Sequence, residues 1–367
     1  MRSVVVLGGY GNFGQRIVSA LASDREHRIF VAGRDLQKAT IVADEIGSAT
    51  EPIRIDCQSP DFAAQLRRLG AMLVIHTAGP FQAQGYQVPR ACIEARAHYI
   101  DLADGRAYVC GIRDLDRAAK GTDVLVVSGA SSLPALSSAV VDELRVHFSR
   151  IDRIEHAISS GAKPPGQATM QGVLAYAGKP FMQWRNGKWQ VAHGWQAITR
   201  MRFPSPVGAR WIANCDVPDL ELFPQRYAPV ETVIFRAGVG FAASGLTVWI
   251  ASWLVRAGLM DTLSAYVPRL HRTALALERF GSKWSAMQVK LRGLDHESKQ
   301  SSRSWTLLAG SNHGPDIPCF PAIALARKVL RNGISNRGAM SCMGLLTLDE
   351  ILSIGRGLDL HIVQNRP

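Results

Sequence analysis

Cysteine is scarce and scattered in this chain of 367 residues: the six, at positions 57, 92, 110, 215, 319 and 342, include no C-x-x-C pair. That spacing argues against a zinc site or a disulfide framework and for reduced thiols in a cytoplasmic protein. An H-E-x-x-H motif and a Ser/His/Asp order are also missing, so neither metal-dependent nor serine-type hydrolysis is indicated, and no metal is expected. No secretory leader is read at the start, because an apolar strand begins directly after Met1-Arg2-Ser3. Internal repeats and low-complexity linkers are lacking. Apolar residues nevertheless make up 47%, which suits a globular chain long enough for two domains with substantial cores.

Acidic residues fall well short of basic ones, leaving a formal net charge of +12. Such an excess suits an anionic cofactor, an acidic substrate or a membrane surface. The densest basic cluster, Arg269 to Arg303, alternates with apolar residues, and no nucleic-acid reader motif accompanies it, so nucleic acid is not an expected partner. Ala237 to Val255 carries no charge and lies between Arg236 and Arg256. Its length is near the lower limit for crossing a bilayer. Gly238, Gly240, Ser244 and Gly245 interrupt its first half, so a continuous helix is expected only from about Leu246. A core or dimer-interface helix is the preferred reading. Peripheral membrane contact through 237–256 is the alternative, favoured by Trp249, Trp253 and the flanking arginines.

Against these absences stands one dense motif. Val4 to Leu7 reads as a buried parallel strand running into Gly9-Tyr10-Gly11-Asn12-Phe13-Gly14, a G-x-G-x-x-G turn that opens a helix. Gly9 permits the tight turn, Gly11 lets a pyrophosphate approach the backbone, and Gly14 lets the helix pack close to the strand. The helix N-terminus offers free N–H groups and a positive dipole end to phosphate. A dinucleotide is the ligand these features predict. The second strand, Arg28 to Ala32, ends in Gly33-Arg34-Asp35. An acidic residue at that tip would accept from a ribose 2′-hydroxyl, whereas an arginine suits a 2′-phosphate. Arg34 occupies the tip and Asp35 is placed to cap the next helix, so NADP(H) is the expected cofactor.

The first half alternates strand and helix as a Rossmann doubly wound parallel sheet does, with six strands expected in the order 3-2-1-4-5-6. Ligands of such sheets lie beyond the carboxyl ends of the strands, where the strand order reverses. Asp56, ending the third strand, is a candidate for adenine contact or for capping the following helix. Ala78-Gly79-Pro80-Phe81, ending the fourth, can lie along the nicotinamide ribose. Beyond Ser131 the pattern changes to strands of a mixed, largely antiparallel sheet with tryptophans between Trp184 and Trp253, a second α+β domain. The expected organisation is a Rossmann domain over 1–132, a substrate and dimerisation domain over 133–320, and C-terminal helices over 321–367.

Several stretches together resemble the saccharopine dehydrogenase-like oxidoreductases. They are Gly8 to Gly14, Ala32-Gly33-Arg34, His76 to Phe81 with Gly85-Tyr86 and Val88, His98 to Asp104, and Ser128 to Pro134; Gly178-Lys179-Pro180 and Gly314 to Pro318 match more loosely. The resemblance implies a soluble NAD(P)-dependent oxidoreductase that often acts where a carbon–nitrogen bond is formed or cleaved through an imine. It also implies a C-terminal substrate and dimerisation domain, a homodimer, and last helices that pack back on the first domain.

Hydride transfer needs a cofactor held against the substrate and one managed proton. Tyr99, Asp101 and Asp104, at the end of the fifth strand, are the candidate catalytic cluster, with Asp101 or Asp104 orienting a substrate amine and Tyr99 or a histidine exchanging the proton. His313, in the loop Gly310 to Pro315, is the histidine placed to reach a cleft. Gln167 and Thr169 are candidate substrate contacts. Two readings stay open: an enzyme turning over a small molecule, and a non-catalytic NADP(H) sensor or interaction protein, membrane-associated in one version.

Overall fold

The computed structural model describes residues 3–47, 49–161, 166–240, 242–278 and 281–365. The chain divides into two compact units, 1–136 with 315–354, and 137–314 with 355–367. The first boundary lies beside the expected one at 132, but the C-terminal segment is shared between the units.

The first unit is built on a parallel sheet. Its strands are β1 (Ser3–Leu7), β2 (Arg28–Gly33), β3 (Thr50–Arg54), β4 (Ala71–His76), β5 (His98–Asp101) and β6 (Leu125–Ser128). They lie in the order β6-β5-β4-β1-β2-β3, as the alternating pattern predicts. A seventh strand, Gly338–Ser341, adds in parallel beside β6. It was not foreseen, since four residues, Gly-Ala-Met-Ser, carry no apolar run. Both faces of the sheet are covered, which is why β1 reads as an unbroken apolar run: Val4, Val5 and Val6 are fully buried, as are Val74, Ile75 and Ile100. The helix Phe320–Leu330 buries nearly its whole length in this unit. Arg327 clamps it with a two-pronged bond to Asp24, at 2.8 and 2.9 Å.

The second unit holds a mixed, largely antiparallel sheet. It contains β7 (Arg150–Ser159), a hairpin of β8 (Pro180–Arg185) and β9 (Lys188–His193), then β10 (Thr199–Arg202), β11 (Ala209–Asn214), β12 (Thr232–Gly238), β13 (Ser285–Leu294) and β14 (Gln300–Ala309). The sheet order is β10-β11-β12-β7-β13-β14, with Leu360–Asn365 as the last strand and the hairpin separate. Only β7 and β12 pair in parallel. The final strand corrects the expectation of helices alone over 321–367. Inside this unit Ser137 donates to Asp219 at 2.6 Å, and His156 lies 2.9 Å from the same carboxylate, all of it sealed from solvent.

The uncharged segment forms the helix Ala242–Arg256, which starts before the expected Leu246. Gly245 does not delay it: a glycine costs a helix only about 1 kcal/mol. Nor is the helix sealed in a core, because Leu246, Ile250, Trp253 and Leu254 are exposed on one stripe. No helix among the described residues is long and apolar enough to cross a membrane.

Candidate functional site

The sheet order reverses between β1 and β4, whose last residues, Leu7 and His76, are register partners. Two loops therefore leave the sheet side by side. The first is the glycine turn. Gly8 adopts φ +75°, and a Cβ there would lie 2.9 Å from Thr77 Oγ1. Gly8 and Gly9 both donate to Ala32 O, at 2.8 and 3.2 Å. Gly14 has no room for a side chain, since its Cβ would fall 2.1 Å from Gly8 O.

Gly11 is different. It stands just before the helix Asn12–Ala22 with no side-chain cap. A Cβ on it would touch only Gly8 O, at 3.0 Å, so its outer side is open. The first backbone bond of this helix runs from Gln15 N–H to Gly11 O. The N–H groups of Asn12, Phe13 and Gly14 therefore have no acceptor within the helix. No acidic residue occupies its first turn. These features fit a dinucleotide pyrophosphate, with backbone donors supplying the attraction.

Tyr10 turns away from this opening. Its ring lies on Gly33, where a Cβ would be only 2.3 Å from it, and its hydroxyl accepts from Asp35 N–H at 3.2 Å. Asp35 is occupied as helix cap: its carboxylate accepts from Lys38 N–H at 3.2 Å. Arg34 is exposed and forms no ion pair among the described residues. A second arginine, Arg54, stands in register with Gly33 on the neighbouring strand and is also exposed. The sequence reading missed it, although its place two residues before Asp56 at a strand end was the available signal. Asp56 is exposed and accepts from Gln58 N–H at 3.0 Å; the N-cap position of the helix after it is held by Asp61, without a side-chain cap bond.

The second loop is Thr77 to Phe81, with a cis bond between Gly79 and Pro80. Thr77 Oγ1 donates to Leu7 O at 2.8 Å, tying it to the end of β1. Gln84, another residue unmarked in the sequence, donates to Ala78 O at 2.8 Å and to Pro80 O at 2.9 Å. Ala78, Gly79 and Pro80 stay partly exposed while Phe81 is buried.

Beneath that loop runs a buried polar chain. His76 Nδ1 lies 3.0 Å from the Tyr99 hydroxyl, which lies 3.0 Å from the Tyr108 hydroxyl. Burial pushes His76 down to about 4 and Tyr99 well above the usual phenol range. Asp101 is fully buried. Its Oδ1 accepts from Ala103 N–H at 2.9 Å, Ser128 Oγ at 2.9 Å and Gly129 N–H at 2.8 Å. Burial raises its carboxyl to about 6 even so. Asp101 thus joins the loops after β5 and β6. Asp104 is only half-buried and accepts from Gln82, the residue after Phe81, at 3.0 Å. Burial raises it too.

Tyr99, Asp101 and Asp104 are therefore grouped at one end of the first unit. The other candidates fall in the second unit: Gln167 and Thr169 open the helix Gln167–Ala175, and His313 N–H closes a turn onto Gly310 O at 2.9 Å. No cluster of His, Cys, Asp or Glu among the described residues is arranged to hold a metal.

Fold and turn together define a dinucleotide-binding unit of the Rossmann type. Residues 4–127 match the family model for the saccharopine dehydrogenase NADP binding domain. No curated protein matches the chain in sequence. Among solved structures it is similar to apo saccharopine dehydrogenase (L-Glu forming) from Saccharomyces cerevisiae, with 15% identity, TM-score 0.71 and all of both chains covered. Homospermidine synthase from Legionella pneumophila, solved with NAD, shows 12% identity and TM-score 0.60, over 100% of this chain and 91% of that one. At such identities the likeness is one of fold.

Proposed function

We propose that the protein is an NADP(H)-dependent oxidoreductase that passes a hydride to or from a small substrate at a carbon–nitrogen bond. The observation that carries the cofactor reading is the open Gly11 edge with unshared N–H groups at the β1/β4 switch point. Arg34 and Arg54 support NADP(H): two guanidiniums at adjoining strand ends have no carboxylate partner among the described residues, and the nearby Asp35 is committed to its helix. The carbon–nitrogen specificity rests on the family resemblance together with the carboxyl groups beside β5. When bound, the dinucleotide supplies the hydride. The chain must then orient the substrate and move a proton. Asp104 suits that task, being partly exposed and held above the usual carboxylate range by burial. Asp101 and Tyr99, sealed in the interior, act as positioning groups.

Loss of NADPH fluorescence with a panel of keto acids and amines tests the reading. Stoichiometric oxidation dependent on both partners supports it; tight NADPH binding without turnover on any pair favours the sensor instead. The homodimer is proposed on the exposed stripe of the helix Ala242–Arg256. Light scattering of native and Ile250→Glu protein tests it: a native monomer overturns it, and a dimer broken by the substitution supports it.

A further inference from the structure

The second unit contains a pocket of about 320 Å³, bounded by the β8–β9 hairpin, the end of β11 and the helix Ala242–Arg256. No Asp or Glu lines it. Two arginines do, and each is set by a glutamine in the same way. Arg185 Nε donates to Gln183 Oε1 at 2.7 Å, and Arg256 Nη1 donates to Gln196 Oε1 at 2.6 Å. Both glutamines are more than nine-tenths buried, and the Nε2 of each has no partner among the described residues. Asn214, equally buried, leaves its Oδ1 unpaired. An unmet buried amide is costly, so three around one cavity are better explained by a ligand than by packing.

Backbone and charge point the same way. Gln196 lies between Trp195 and Ala197, which adopt φ 58° and 50°, a region that residues with a Cβ seldom enter. Strain of that kind persists where the surrounding structure holds it, often at ligand sites. Neither pocket arginine has an acidic partner among the described residues. Burial lowers Arg185 below the usual guanidinium range, and Arg236 and Arg153 push it further. The Arg256 guanidinium also lies 5.0 Å over the Trp253 ring, which fixes its plane and gives the pocket an apolar wall.

We propose that this pocket binds a small organic carboxylate, held by the paired donors of Arg185 with Gln183 and of Arg256 with Gln196. A planar guanidinium beside an amide NH2 group offers parallel donors to both oxygens of a carboxylate, and the sulfate comparison tests whether a tetrahedral anion is taken equally well. The inference is independent of the dinucleotide reading, and its test needs no cofactor.

Calorimetric titration of the full chain with succinate at low salt is the direct measurement, with neutral succinamide and sulfate as comparisons. Succinate should bind, succinamide should not, and Arg185→Gln and Arg256→Gln should each weaken succinate by about tenfold or more, as loss of a charge-assisted bond does. Because a substituted arginine can disturb folding, Gln183→Leu and Gln196→Leu provide a second set. Each should weaken succinate while the protein stays folded, since the bond lost from the arginine is offset in part by removal of an unmet buried amide NH2 group. Failure of succinate to bind the native protein, equal binding of sulfate, or unchanged affinity in all four folded variants would overturn the assignment.

Discussion

Arg54 on β3 stands in register with Gly33 on β2, one residue before Arg34. Two guanidiniums without a carboxylate partner among the described residues therefore stand at adjoining strand ends, where the adenosine half of a dinucleotide meets a sheet of this kind. Replacing Arg34 or Arg54 with Ala should weaken NADPH by about tenfold each, the loss of a charge-assisted hydrogen bond. NADH, with no 2′-phosphate, should change by no more than about twofold. Parallel fluorescence titrations read both. Equal losses for the two cofactors would remove the arginines from 2′-phosphate recognition.

The glycines of the turn should separate by function. Gly14→Ala sets a Cβ against Gly8 O at 2.1 Å and should lower the melting temperature whether or not cofactor is present. Gly11→Ala meets the same oxygen at 3.0 Å and little else, so the free protein should keep its melting temperature to within a few degrees. Its methyl group projects where a pyrophosphate would approach, so NADPH affinity should drop by about tenfold or more. Thermal melts with and without NADPH distinguish them.

Asp104 is the third test. Asp104→Asn keeps the size and the capacity to bond Gln82, and removes the proton. Turnover should fall by about a hundredfold, within the range of general acid–base catalysis, while NADPH affinity stays within twofold. Its pH profile should lose the limb belonging to a raised carboxyl. Tyr99→Phe should act otherwise: with both hydroxyl contacts gone at a sealed site, stability should fall by about 1 to 3 kcal/mol.

The first unit was legible because its strands are buried on both faces, which leaves continuous apolar runs in β1 and β4. Its glycines have steric causes that show in sequence, Gly14 above all. Arg54 was not legible, since only register against Gly33 distinguishes it from any surface arginine. Nor were the roles within the β5 cluster. Strand alternation puts Tyr99 and Asp101 on one side, but only the fold shows that both are sealed while Asp104 is partly open. In the second unit, Gln183 and Arg185 sit two residues apart on β8, but Gln196 in a turn meets Arg256 on a distant helix, and the two pairs face one pocket. No local pattern encodes such a meeting.

His76 and Asp101 should leave opposite marks on stability against pH. The native value of His76 is about 4 against an ordinary 6.5, so the folded state holds fewer protons than the unfolded one between those values. Its contribution is present at neutral pH and is lost as pH falls toward 4. Asp101 is raised from 3.8 to about 6, so the folded state holds more protons in that window. Its contribution is present below 3.8 and is lost as pH rises through 6. In the native protein the two differences cancel between about pH 4 and 6. With His76→Gln, stability relative to native should fall as pH rises across that window, by about 1.4 kcal/mol per unit. With Asp101→Asn it should rise with pH at a similar slope. Urea unfolding at half-unit steps from pH 4 to 7 measures both, and slopes of the same sign in the two variants would refute this account of the buried pair.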